Sequence, residues 1–153
     1  MRVLVMSDSH GNKEAVLKAT ERESPDLVLH LGDHDRDCSV IELKFPQIPL
    51  RSVRGNCDRS SYGLDTDEFT LGDKRFFMTH GNLFRVKTGY SPIIDTARKK
   101  GAEVLLFGHT HDPYYSVLEN LSIINPGSIG TGEKTYAILE LKDGVLTCEF
   151  MKI

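Results

Sequence analysis

Apolar positions along the chain fall into short runs more often than into helical stripes. Residues 2–7, RVLVMS, and 26–31, DLVLHL, are runs with β-branched content and too short for helices, so they predict buried strands. Residues 50–54, LRSVR, predict a third strand, and 103–107, EVLLF, predict another. Between the first two, NKEAVLKATERE at 12–23 sets Ala15, Val16 and Ala19 on one helical face, with Asn12 placed as an N-cap and Glu14 in the first turn. A short helix is expected around 35–43. A further one is expected near 91–100, with Pro92 in its first turn and Gly101 just past its end.

The second half changes rhythm. EFTL and KRFFMT flank Gly72-Asp73, which suits a two-residue hairpin turn with glycine first. Residues 114–118, 121–124, 135–142 and 145–152 read as strands, the last two joined by the hairpin dipeptide Asp143-Gly144. Strands alternate with helices and then follow one another. That order predicts two packed sheets with helices outside, an α/β sandwich rather than a plain doubly wound sheet. No repeat, low-complexity tract or Pro/Gly/Ser-rich linker interrupts residues 1–153, so a single domain is expected.

Composition narrows the functional classes. Hydrophobic residues make up 39% and charged residues 27%, an ordinary globular balance, and the formal net charge of -3 disfavours a strongly basic binder of long nucleic acids. No apolar run approaches the roughly 18 residues a membrane span requires. The N-terminal MRVLVMSDSHGN is too short in its apolar part for a signal peptide, so a cytoplasmic location without membrane attachment is expected. Three cysteines, Cys38, Cys57 and Cys148, are odd in number and form no C-x-x-C, which speaks against a disulfide framework or a zinc-thiolate site.

Polar residues of metal-ligand type follow the strands. Asp8 and His10 come after RVLVMS, Asp33 after DLVLHLG, Asn56 after LRSVRG, His80 after KRFFMT, and His109 and His111 after EVLLFG. Sites in α/β folds gather beyond the carboxyl ends of strands. Asp8 and His10, like His109 and His111, are i, i+2 pairs whose side chains share a direction if the chain is extended. Imidazole, carboxylate and amide donors suit Mn, Fe, Ni or Zn better than a pure oxygen site. Two cations about 3.5–4 Å apart can activate a water and clamp a phosphoryl group. Other polar residues have plainer readings. His30, inside a strand, reads as a packing histidine. His34 faces either the pocket or solvent. Asn125 and Ser128 read as turn residues, and Arg85 and Lys87 as loop charges or phosphate contacts.

Asp8-Ser9-His10, Gly32-Asp33, Gly55-Asn56-Cys57-Asp58, His80-Gly81 and Gly108-His109-Thr110-His111 together resemble the calcineurin-like metallophosphoesterases, over essentially the whole chain. Length and the Asn125-Pro126-Gly127-Ser128 stretch resemble the small YfcE-type phosphodiesterases. The resemblance implies a four-layer α/β/β/α sandwich of two mixed sheets flanked by helices. It implies two divalent ions, manganese foremost with Fe, Ni, Zn or Mg as alternatives. One would be held by Asp8, His10, Asp33 and His111, the other by Asp33, Asn56, His80 and His109. It also implies a metal-bridging water or hydroxide as nucleophile for in-line attack on phosphorus.

Asn56, Cys57, Asp58 and His80 are the candidate catalytic residues, with Asp58 orienting its motif. Cys57 departs from the histidine common at that position and weakens the case for esters with poor leaving groups. The expected substrate is a small phosphodiester, with a phosphomonoester or nuclease activity as alternatives. A homo-oligomer is expected by analogy alone. A non-catalytic protein-interaction scaffold, as in a retromer subunit of this fold, is the competing class.

Overall fold

The computed structural model describes residues Met1–Ile153. In the first strand, β1 (Arg2–Met6), alternate residues serve different layers: Val3 and Val5 join the core between two sheets, while Leu4 and Met6 pack under helix α1 (Lys13–Glu23). Burial on both faces is why this segment reads as a continuous apolar run. The same division holds in β2 (Leu27–His30), where Leu27 and Leu29 face the other sheet and Val28 faces the helices.

The remaining elements follow the chain as a 3-10 turn (Asp35–Cys38), α2 (Ser39–Lys44), β3 (Leu50–Ser52), β4 (Thr66–Leu71), β5 (Lys74–Thr79), a second 3-10 turn (Asn82–Phe84), α3 (Ser91–Lys99), β6 (Val104–Leu106), β7 (Pro113–Leu118), β8 (Leu121–Pro126), β9 (Thr135–Lys142) and β10 (Val145–Lys152). The helix expected at 35–43 is thus divided into a 3-10 turn and a short α-helix. Asn12 caps α1 as expected, its Oδ1 accepting the Ala15 N–H at 3.1 Å. At the β4–β5 turn Gly72 has φ 61°, which its lack of a Cβ permits.

One sheet has the order β10-β9-β1-β2-β3 and the other β4-β5-β6-β8-β7. Both are mixed. β1, β2 and β3 run parallel, as do β5, β6 and β8, and the other strands pair antiparallel. A core of 13 buried residues lies between the sheets, one of 11 joins the first sheet to α1 and α2, and one of 8 joins the second sheet to α3. Three apolar seams between four layers make an α/β/β/α sandwich, the architecture expected. Truncating a side chain of the central seam such as Leu29 or Phe76 to alanine would cost about 2–5 kcal/mol. The parallel strands of both sheets bring their carboxyl ends to one edge, where the polar loops meet.

Candidate metal centre

All five strands that precede the candidate residues belong to the two parallel sets. β1, β2 and β3 lead to Asp8, His10, Asp33, Asn56 and Cys57. β5 and β6 lead to His80, His109 and His111. Asp8, His10, Asp33, His34, His109 and His111 have φ between 46° and 69°. Such backbone costs a non-glycine residue of order 1–3 kcal/mol and persists only where surroundings impose it. This corrects the extended-chain reasoning for the two i, i+2 pairs. Asp8 and His10 do converge, but through left-handed loop residues rather than strand alternation, whereas His109 and His111 part to different sets of donors.

Hydrogen bonds impose these loops. The Asp8 N–H donates to Gly32 O at 2.9 Å, and Ser9 N–H to Asp33 O at 3.2 Å. Asn125 donates to Gly108 O at 3.0 Å and Thr110 Oγ1 at 2.9 Å, fixing the third loop. Ser128 Oγ donates to Asp8 O at 2.8 Å. Asn125 in β8 and Ser128 just past its end therefore brace the site. A Cβ on Gly55 would collide with Asp33 Oδ1, and one on Gly108 with Ser7 Oγ, so both glycines allow a close approach of neighbouring loops.

Two donor triads result. In the first, Asp8, His10 and His111 bring ligand atoms within 4.8 Å of one another. In the second, Asp33, His80 and His109 do the same. Asp33 faces both: Oδ1 is 3.5 Å from His80 Nε2 and Oδ2 is 4.0 Å from His10 Nε2. Asp8 is fully buried. Its Oδ2 accepts hydrogen bonds from Ser7 Oγ at 2.6 Å and the His109 N–H at 3.0 Å. Its Oδ1 accepts none, although His111, His10 and His80 Nε2 stand 3.0, 3.8 and 3.9 Å away. The nearest ring is close but not aimed along a hydrogen-bond line. A buried carboxylate oxygen left bare among imidazole nitrogens is costly, and a cation placed among them would remove that cost. The donor set therefore fits divalent metal.

The second triad is oriented from behind. His80 Nδ1 is 2.8 Å from Leu31 O, so Nδ1–H donates and Nε2 is left for the centre. Burial alone would lower the His80 pKa, but contact with Asp33 and the charge of Asp8 raise it overall. Burial of Asp33 is likewise outweighed by contacts with His80 and the Cys57 N–H, which hold its carboxyl well below the usual range. His109, with Nδ1 3.1 Å from His80 Nε2, is lowered by burial, His80 and Lys87. Lys87 and Arg85 are exposed.

Asn56 and Cys57 are exposed, and the Asn56 amide contacts Cys57 Sγ at 3.5 Å. Asp58 is buried and spends both oxygens on backbone: Oδ1 accepts from His34 N and Asp35 N at 2.7 and 3.1 Å, Oδ2 from Gly55 N at 2.8 Å. It ties the Asn56 loop to the Asp33 loop and lines the cleft beside Cys57. His34 sets its ring 5.5 Å from that of His10 and, with Arg36, Cys57, Arg59, Ser60 and Ser61, lines a cleft of about 230 Å³ beside the donors.

His30 is fully buried. Its Nδ1 accepts from Gly32 N at 3.3 Å and its Nε2 donates to Ser9 Oγ at 3.2 Å, which donates to Asp37 Oδ2 at 2.8 Å. Sequence reading assigned no role to Ser7, Asp37 or Thr131, whose Oγ1 is 3.3 Å from His111 Nδ1. Adjacency to Asp8 was a signal for Ser7; nothing in the sequence marked Asp37.

A family model described as the calcineurin-like phosphoesterase superfamily domain matches residues 1–144. The probable metallophosphoesterase YsnB of Bacillus subtilis is 35% identical over 157 residues, covering 98% of this chain and 90% of its own. A phosphodiesterase of Methanocaldococcus jannaschii is 27% identical over 161 residues, covering 92% and 93%. The crystal structure of a conserved protein described as a predicted phosphoesterase, from Streptococcus pneumoniae TIGR4, superposes with TM-score 0.83 at 28% identity, over 99% of this chain and 88% of that one.

Proposed function

Because the chain belongs to the calcineurin-like phosphoesterase superfamily, a family of metal-dependent phosphoesterases, we propose that it is a phosphodiesterase acting on small diesters with good leaving groups, organised as one domain in a reducing cytosol. The observation that carries the metal-dependent reading is the buried, unpartnered Asp8 Oδ1 facing three imidazoles. In this reading Asp8, His10, His111 and Asp33 hold one divalent ion, and Asp33, His80, His109 and Asn56 a second, with manganese the first choice. When bound, the ions supply an acidified water for in-line attack and positive charge against the phosphoryl oxygens.

The chain's own residues do the rest. Asp33 presents one oxygen to each triad, which suits a shared carboxylate. His80 is held by Leu31 O so that Nε2 faces inward. The polar cleft beside Cys57 has room for a small substituent of the ester and is lined by Arg36, Arg59 and the His34 ring. Preference for diesters rests on Cys57: although the residue is exposed, desolvation of its thiol and neighbouring Asp33 push its pKa up to about 11, so at neutral pH the metal-free site offers a weak S–H donor where imidazolium would protonate a leaving group.

The test uses purified protein stripped by chelator, assayed on bis-p-nitrophenyl phosphate and restored with Mn²⁺. Loss and recovery of hydrolysis are expected; full activity in the stripped protein would falsify the reading.

A further inference from the structure

A third group of donors takes one member from each triad and adds Cys57, which belongs to neither. His10, Asp33 and Cys57 also bring a ring nitrogen, a carboxylate oxygen and Sγ within 4.8 Å of one another. The Cys57 N–H donates to Asp33 Oδ1 at 2.8 Å, which fixes the residue's backbone against the shared carboxylate. The side chain is exposed and opens on the cleft lined by His34 and Arg59. The other two thiols lie in the cores, Cys38 under α1 and α2 and Cys148 against the seam between the sheets. Cys57 is therefore the thiol that reaches the centre.

We propose that Cys57 gives the centre a thiolate donor, so that a thiophilic divalent cation is held at its open side by His10, Asp33 and Cys57. The inference rests on the metal-centre reading above and deepens it. Sulfur donors select softer ions, whereas the carboxylate and imidazole triads do not. A cation next to a thiol takes over from the neighbouring carboxylates in setting its protonation, and the proton is released to solvent on binding.

His10 belongs to this group and to the triad with Asp8 and His111, its Nε2 3.3 Å from His111 Nε2. One imidazole nitrogen ligates one ion. A thiophilic ion at Cys57 therefore draws His10 away from Asp8, and excess zinc competes with turnover rather than supporting it. The site discriminates between metals through the residue that replaces an imidazole.

Cobalt(II) titrated into the stripped full-length protein tests this. Visible d–d bands report occupancy, and a near-ultraviolet sulfur-to-cobalt charge-transfer band reports a thiolate ligand. The wild type is expected to show both, Cys57→Ser to keep the visible bands and lose the other, and Cys148→Ser to keep both. On the wild type itself, cobalt is expected to protect Cys57 from alkylation by iodoacetamide, read by peptide mass spectrometry. Visible bands without the charge-transfer band, a band that survives in Cys57→Ser, or alkylation that cobalt leaves unslowed would each overturn the proposal. Hydrolysis of bis-p-nitrophenyl phosphate with Mn²⁺ is scored separately. A charge-transfer band with no hydrolysis removes the phosphodiesterase reading and leaves this one standing.

Discussion

Asp8 Oδ1 lies 3.0 Å from His111 Nε2, is buried, and accepts no hydrogen bond. One oxygen of the carboxylate beyond β1 is thus without a hydrogen bond, while the other accepts two. Asp8→Asn removes the charge while its amide oxygen can still accept from Ser7 and His109. Mn²⁺ at about a hundred times its dissociation constant stabilises a protein by about 2.7 kcal/mol, which at this chain length raises the melting temperature by roughly 5–10 °C. Differential scanning fluorimetry is expected to show that rise in the wild type and a smaller one in Asp8→Asn, which keeps the Asp33, His80 and His109 donors, with the stripped variant at least as stable as stripped wild type. A variant that keeps the full wild-type rise would remove Asp8 from the ligand set.

Asp58 is a positioning residue, since its three hydrogen bonds all come from backbone of the Asp33 and Asn56 loops. Asp58→Ala leaves those N–H groups unpaired and is expected to cost about 2–4 kcal/mol in urea unfolding. Loss of such support typically weakens metal affinity by about 10–100-fold. Isothermal titration with Mn²⁺ checks the second figure, and wild-type affinity in Asp58→Ala would confine the residue to stability.

His30 gives the stripped protein an acid-sensitive component. Burial lowers its pKa below 6.5, partly opposed by Asp8 and Asp58, so it is neutral when folded and takes a proton when unfolded in acid. Its contribution is full above pH 6.5 and is lost as pH falls toward its folded value. One proton accounts for at most about 1.4 kcal/mol per pH unit. His80 works the other way: its raised pKa contributes stability present below 6.5 and lost as pH climbs. The measurement is therefore a difference, the pH slope of unfolding free energy in wild type against His30→Gln from pH 7 to 5. A flatter acid limb is expected in the variant; parallel slopes would mean that His30 is not held neutral.

Cys57→His restores an imidazole where the thiol stands. General acid catalysis contributes about 10²–10⁴-fold where it operates. The variant is expected to gain on alkyl phosphomonoesters, relative to bis-p-nitrophenyl phosphate, by at least about tenfold. An unchanged ratio of the two kcat/KM values would show that this position does not set ester preference.

The sequence carried the architecture well because burial on two faces leaves apolar runs such as RVLVM and EVLLF, and because Asn12 and Asp143-Gly144 mark boundaries by local chemistry. The helix at 35–43 was legible as a helix but not as two, since the 3-10 turn follows a left-handed His34 that no side-chain pattern announces. Order along the chain gave the site's donors their places at strand ends. It did not give the left-handed backbone at Asp8 or His111, which depends on contacts between loops distant in sequence. Asp37 escaped notice for the same reason, its partners Ser9 and Gly11 lying one strand away.

The donors come from both sheets, and the sheets reach across to one another: His80 is steadied by Leu31 O, and Asp8 by the His109 N–H. No continuous stretch of chain contains the centre, so it is not portable. Transplanting the motif loops onto another scaffold would carry the ligands without their spacing, which Val3 and Val5 set against Phe76 and Met78 in the seam between the sheets. Any descendant that borrows this chemistry must inherit the whole sandwich, and any that drifts in the packing of that seam retunes the centre without touching a ligand.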